Sequence, residues 1–176
     1  VALVTCANDR QALVVTGLLR EQGRLAWAGR GPLDVSAIEY MDDRSLRLVP
    51  DAAFDKSAID RPPQGMVLLL IQMEVTQREE VIWTALADVL DSAGVTGDPL
   101  IAGAGDDRGA QRMFDLREAV PASVNARVAA AKQGDDRIEK TAGDFIVPFD
   151  SLEPALAMYR SLLEDRRLDY AIWGHA

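Results

Sequence analysis

Met66-Val-Leu-Leu-Leu-Ile-Gln-Met-Glu-Val75 holds the longest uninterrupted apolar run of the chain, from Met66 to Ile71. Consecutive apolar positions leave no polar face, so the segment reads as a central strand covered on both sides, or with few exposed positions. Gly65 releases the chain into it. Residues 51–65, with Arg61-Pro62-Pro63, read as a surface connection, because consecutive prolines remove backbone donors and fix φ. The run is far shorter than the roughly 20 residues that span a bilayer.

Upstream, Val1 to Ala7 is β-branched and apolar and predicts a strand. Asn8 or Asp9 offers an oxygen to cap a helix through about Gln22, with Gly23 placed to stop it. Pro32 to Met41 predicts a second strand, although Ile38-Glu39-Tyr40-Met41 blurs the alternation. Asp42-Asp43 caps a short helix over Arg44 to Val49, closed by Pro50. Downstream, Thr76 with Glu79 three residues later has capping-box spacing for a helix that presents Ile82, Leu86, Val89 and Leu90 on one face and ends at Gly94.

Leu100 to Ala102 reads as a brief strand. A longer helical region runs from near Asp106 toward Lys132, where Pro121 either kinks the helix at the carbonyl of Arg117 or starts a new helix after a break at Val120. Asp144 to Val147 reads as a short strand. Asp150 or Ser151 caps a helix lined by Leu152, Leu156, Tyr159 and Leu163, and Leu168 to His175 reads as a final strand. The order gives an α+β class: a largely antiparallel sheet with helices packed on one face, ferredoxin-like in outline.

The 176 residues suit one domain of ordinary globular composition, 48% hydrophobic and 27% charged. Nineteen basic against 28 acidic residues give a net charge of -9, and no basic cluster exceeds Arg166-Arg167, which argues against nucleic acid as a partner. One cysteine, Cys6, excludes an internal disulfide and any multi-cysteine metal site. No signal-peptide layout opens the chain, and a cytoplasmic location is expected. The chain begins on Val1 and stops on an apolar run, so both ends read as cut.

Phe114-Asp-Leu-Arg-Glu-Ala-Val-Pro121, Lys140-Thr-Ala-Gly-Asp-Phe-Ile-Val-Pro148 and the closing Gly174-His175-Ala176 carry the chemistry. In that order they resemble the C-terminal substrate domain of FAD-linked oxidases and dehydrogenases, the glycolate oxidase, D-lactate dehydrogenase and D-2-hydroxyglutarate dehydrogenase group. The resemblance implies that residues 1–176 form a single partial substrate (cap) domain, with an N-terminal FAD-binding domain and the rest of the C-terminal motif outside this chain. It implies oxidation of a 2-hydroxy acid by hydride transfer to flavin, with the fragment alone inactive.

His175 is the only histidine and, taken alone, reads as an exposed or backbone-bonded strand-end residue. The resemblance makes it the catalytic base or the imidazole beside it, and a metal ligand only if downstream ligands are present. Arg117, otherwise a surface guanidinium beside Asp115 or Glu118, becomes a substrate-binding clamp whose paired N–H groups match a carboxylate. Lys140 is a second substrate-binding candidate or an ordinary exposed lysine. Several 2-hydroxy-acid members place such a lysine two residues before the aspartate, where this sequence has Ala142. Glu39 and Asp42, in Ala-Ile-Glu-Tyr-Met-Asp, read as structural, with Glu39 at most lining the pocket.

The implied cofactor is FAD, bound mainly by the N-terminal domain, and in some members a divalent metal such as zinc. Expected partners are a small 2-hydroxy acid and the protein's own FAD-binding domain, with homodimerisation left open. Gly103-Ala-Gly105-Asp-Asp superficially resembles a phosphate loop, but acidic residues follow where donors are needed, so nucleotide binding there is rejected. The rival class is a non-enzymatic α+β domain for small-metabolite binding or dimerisation.

Overall fold

Five strands form one sheet in the computed structural model, which describes all residues from Val1 to Ala176. They are β1 (Ala2–Cys6), β2 (Asp34–Met41), β3 (Val67–Glu74), β4 (Leu100–Ile101) and β5 (Trp173–His175), in the order β4-β1-β3-β2-β5. Every neighbouring pair is antiparallel. The apolar run lies at the sheet centre, and Val67 through Ile71 are all buried, as a strand without a polar face requires. The class is α+β.

The helices are α1 (Asp9–Trp27), α2 (Asp43–Leu48), α3 (Asp51–Ser57), α4 (Glu79–Ser92), α5 (Asp107–Lys132) and α6 (Leu152–Asp165), the last preceded by a 3-10 turn at Phe149–Ser151. The path β1-α1-β2-β3-α4-β4 is a split βαβ unit, ferredoxin-like as expected, with α1 and α4 on the same face. That face buries Val4, Cys6, Val15, Leu19, Leu69, Ile71, Leu86 and Leu90. The other face is not bare, as helices on one side alone would leave it. There Leu3, Met41, Leu68 and Leu70 are covered by Leu46 and Val49, by Phe54 of α3, and by Met113, Leu116 and Val120 of α5.

Local chemistry sets the element ends. Asn8 caps α1 by accepting from Gln11 N, Asp42 caps α2 from Ser45 N, and Asp106 caps α5 from Gly109 N. Gly23 does not stop α1. It lies buried inside the helix against Val35 of β2, and the stop comes at Gly29, whose φ of 68° lets Gly29 N and Arg30 N bond back to the carbonyls of Ala26 and Leu25. The blurred alternation of β2 comes from a register shift between Val35 and Ala37, after which Ile38 to Met41 are all buried because both sheet faces are covered.

Residues 51–65 are not wholly a surface connection. Pro50 opens α3, which buries Phe54, and Arg61 lies over that ring at 4.3 Å while donating to the carbonyls of Leu46 and Val49. The Thr76 capping box does not form. Thr76 N turns back to Glu74 O, α4 begins at Glu79, and the Glu79 carboxylate instead accepts from Ala104 N and Trp83 Nε1. Asp144 to Val147 is not a strand, and Ile146 is wholly exposed. The β2 edge it could have joined is occupied by β5, which is itself shorter than the expected Leu168–His175. The α5 helix continues through Pro121 with no break at Val120. No helix is long and apolar enough to cross a membrane.

Candidate functional site

The antiparallel register of β2 and β5 places Glu39 opposite His175 and Met41 opposite Trp173. Directly opposed residues share a face, and Glu39 also pairs with Leu70, so its carboxylate points to the side covered by α5. On α5 the buried stripe Met113, Leu116 and Val120 docks the helix and brings Arg117, next to Leu116, over the sheet edge. Arg117 Nε and Nη2 donate to Glu39 Oε2 at 3.3 and 3.1 Å, and His175 Nε2 lies 2.9 Å from Glu39 Oε1. Arg117 and His175 thus meet at one carboxylate whose side chain is only 8% exposed.

Burial alone would lower the Arg117 pKa, but the charges and hydrogen bonds of Glu39 and Glu118 outweigh it and raise it, so the guanidinium stays charged. Its Nη1 donates to Glu118 at 2.6 Å, a pair in which Glu118 is 66% exposed. Gly174, at φ 149°, adopts a backbone conformation that a side chain rarely takes, just before His175.

Lys140 is not brought to this cluster. Its Nζ reaches Asn125, eight residues past Arg117 along α5, which is about 12 Å of helix at 1.5 Å per residue. Asp42 lies at the C-terminal end of β2, where Oδ1 accepts from Ser45 N, Ser45 Oγ and Ile172 N. It therefore fixes the entry to β5, three residues before His175.

A second polar cluster was missed in the sequence. Arg160 of α6 reaches both oxygens of Asp9, Tyr40 Oη at 3.0 Å and Asp42 Oδ2 at 3.5 Å, and Tyr40 Oη donates to Asp9 at 2.5 Å. Burial, then Asp9, pushes the Tyr40 hydroxyl far above its ordinary pKa. Burial would raise Asp9, but the hydrogen bonds from Arg160 and Tyr40 overcome it and hold its carboxyl below the usual range. No residue of α6 is fully buried, and these contacts, with an Arg10–Glu153 ion pair, join it to α1 and β2. A cleft of about 450 Å³ lies beside them, lined by Asn8, Asp9, Leu13, Glu153, Leu156 and Arg160.

No group of three or more His, Cys, Asp or Glu side chains is arranged to hold a metal ion. The turn at 103–105 does not fit a nucleotide phosphate either: Glu79 takes the amide of Ala104 and Asp106 that of Gly109. The signal for Glu39 was a carboxylate set among apolar neighbours in one strand, since a buried acid needs a partner. Arg160 offered none, being one arginine on an amphipathic helix. No curated protein matches the chain significantly. The family model described as FAD linked oxidases, C-terminal domain, matches residues 27–176, so the chain belongs to that family, whose parent proteins are oxidoreductases carrying FAD.

Proposed function

We propose that residues 1–176 are the substrate (cap) domain of an FAD-dependent dehydrogenase or oxidase acting on a 2-hydroxy acid of the glycolate, D-lactate or 2-hydroxyglutarate type. The observation that carries this reading is the meeting of Arg117 and His175 at Glu39. A 2-hydroxy acid needs a cation for its carboxylate and a base for its hydroxyl, and the chain sets a guanidinium and an imidazole on opposite oxygens of one side chain.

In this reading Arg117 holds the substrate carboxylate through its Nη1–Nη2 edge, displacing Glu118, whose exposed side chain swings into water. Glu39 keeps the Nε and Nη2 donors and so fixes the plane of the fork. His175 takes the hydroxyl proton. FAD, held by an N-terminal domain outside this chain, supplies the acceptor for the hydride. None of Arg117, His175 and Glu39 lines the cleft beside Asp9 or a second one of about 330 Å³ lined by Arg44, Arg127 and Tyr170, and the His175 side chain is 76% exposed. An exposed imidazole suits a site that another domain completes.

The test is a flavin spectrum and 2-hydroxy-acid-dependent dye reduction on the full-length parent, with Arg117→Lys and His175→Ala. Lysine keeps the charge that Glu39 needs but loses the fork, so kcat/KM should fall about 10- to 100-fold, the worth of a charge-assisted hydrogen bond. His175→Ala should lower kcat about 10²- to 10⁴-fold. Both variants should retain flavin. A parent that no 2-hydroxy acid reduces, or variants with unchanged kinetics, would overturn the proposal and favour a binding domain.

A further inference from the structure

Acidic residues outnumber basic ones by 28 to 19, yet three guanidiniums line one cleft of about 330 Å³. Arg44 and Arg47 come from one face of α2, three residues apart, and Arg127 from α5. Leu48, Tyr170 and Asp169 complete the walls. Arg127 follows Arg117 by ten residues, about 15 Å along the helix, so the cleft is separate from the cluster at Glu39.

Two of the arginines are held from outside the cleft. The Arg44 guanidinium lies over the Tyr170 ring at 4.1 Å and donates through Nη2 to Glu164 at 3.0 Å, and Glu164 also accepts from Tyr170 Oη at 2.7 Å. Arg47 Nη2 is 2.8 Å from Asp43, which in turn accepts from Gly65 N. Neither carboxylate lines the cleft. The one acid that does is Asp169, which accepts from Arg127 Nε at 2.5 Å. Both side chains of that pair are more than half exposed, at 62% and 57%, so it is worth little and yields to a competing anion. A guanidinium has five N–H donors, and most of those on Arg44 and Arg127 have no protein partner.

We propose that this cleft binds the phosphate group of a small molecule, held by Arg44, Arg47 and Arg127. Guanidinium forks match phosphate oxygens. Forks reaching in from two helices suit a tetrahedral group, whose oxygens point several ways, better than a planar carboxylate. With Asp169 displaced into water, the lining carries three positive charges and no negative one, which favours a dianion. The volume lies at the small end of ligand pockets, with room for a phosphate on a short organic group. No residue of the Arg117–His175 site takes part, so the assignment does not rest on the 2-hydroxy-acid reading.

The test is calorimetric titration of the flavin-loaded full-length parent, as wild type, Arg127→Gln and Arg44→Gln. The probes are inorganic phosphate, glycerol phosphate and, as a dicarboxylate control, malonate, all at equal ionic strength. Wild type should bind a phosphate probe. Each variant should retain flavin and bind that probe about 10- to 100-fold more weakly, the worth of a charge-assisted hydrogen bond. Tighter binding of glycerol phosphate identifies the ligand as a phosphate ester, and tighter binding of inorganic phosphate identifies it as the free ion; either sustains the site. A wild type that takes up neither overturns the proposal whatever the variants do. So does an unchanged affinity in Arg127→Gln, a replacement at an exposed side chain, and so does malonate binding as tight as phosphate.

Discussion

Replacing Asp42 by alanine should loosen the strand that carries His175. Asp42 is 1% exposed, and its Oδ1 accepts from Ser45 N at 2.8 Å, Ser45 Oγ at 2.7 Å and Ile172 N at 3.2 Å. Loss of the cap on α2 costs about 1 kcal/mol, and a stranded amide at Ile172 costs about 1–3 kcal/mol. The Arg160 contact at 3.5 Å adds little, because Arg160 keeps Asp9. A loss of about 3 kcal/mol, with a urea slope of about 2 kcal/mol/M for a domain of this size, lowers the midpoint by about 1.5 M. Asp42→Asn keeps the oxygen for the three donors and turns its NH₂ toward Arg160, so it should cost only about 1 kcal/mol. Hydrogen exchange adds the local readout: amides 166–176 should lose protection in Asp42→Ala before β1 and β3 do. A midpoint drop under about 0.5 M, or unchanged protection of 166–176, would refute the view that Asp42 anchors β5.

Two further outcomes follow from the helix ends and the Asp9 cluster. Gly23→Ala should stabilise by about 0.5–1 kcal/mol, since Gly23 is helical and an added Cβ meets Val35 no closer than 3.7 Å. Gly29→Ala, at φ 68°, should destabilise by about 1–2 kcal/mol. Urea midpoints in which the two changes act in the same direction would contradict the helix end drawn above. Asp9 has a folded pKa below its ordinary 3.8, because the bonds from Arg160 and Tyr40 outweigh burial. A carboxyl so depressed contributes stability that is fully present above the unfolded value and is lost as pH falls through the folded one. The Tm gap between wild type and Asp9→Asn should therefore be constant at neutral pH and shrink below about 3.8; a gap that holds its size through the acid range would argue against the pairing.

The sheet was legible where periodicity or composition left one reading. The apolar run read as a central strand or one with few exposed positions, and the strand and helix patterns on either side of it led to the ferredoxin-like core. What escaped was fixed by distant partners. Gly23 has the identity of a helix stop, yet tertiary contact with Val35 keeps it helical, and the stop passes to Gly29. Asp144 to Val147 has strand composition, but a strand needs an edge, and β5 holds the one at β2. The covering of the second face was implicit in Met66 to Ile71, since a strand with no polar side demands two layers. The Asp9–Tyr40–Arg160 cluster joins positions up to 151 residues apart, and no local spacing reports such a meeting.

The two carboxylates on Arg117 show how far composition falls short of a site. Both are glutamates, and in the sequence Glu118 is the nearer neighbour. In the fold their roles separate by solvent. Glu118 is 66% exposed, so its ion pair is worth little and an incoming anion can take its place. Glu39 is 8% exposed and has both oxygens engaged, so removing its partner would leave a buried, uncompensated charge. Arg117, Glu39 and Glu118 together carry about -1, and binding a second anion without displacing Glu118 would add like charge around one guanidinium. In the proposed clamp, exchange of Glu118 for substrate would keep that local charge constant. Arg117 can thus be held in place by one glutamate and kept free to change partners at the other, which is what a reversible carboxylate clamp requires.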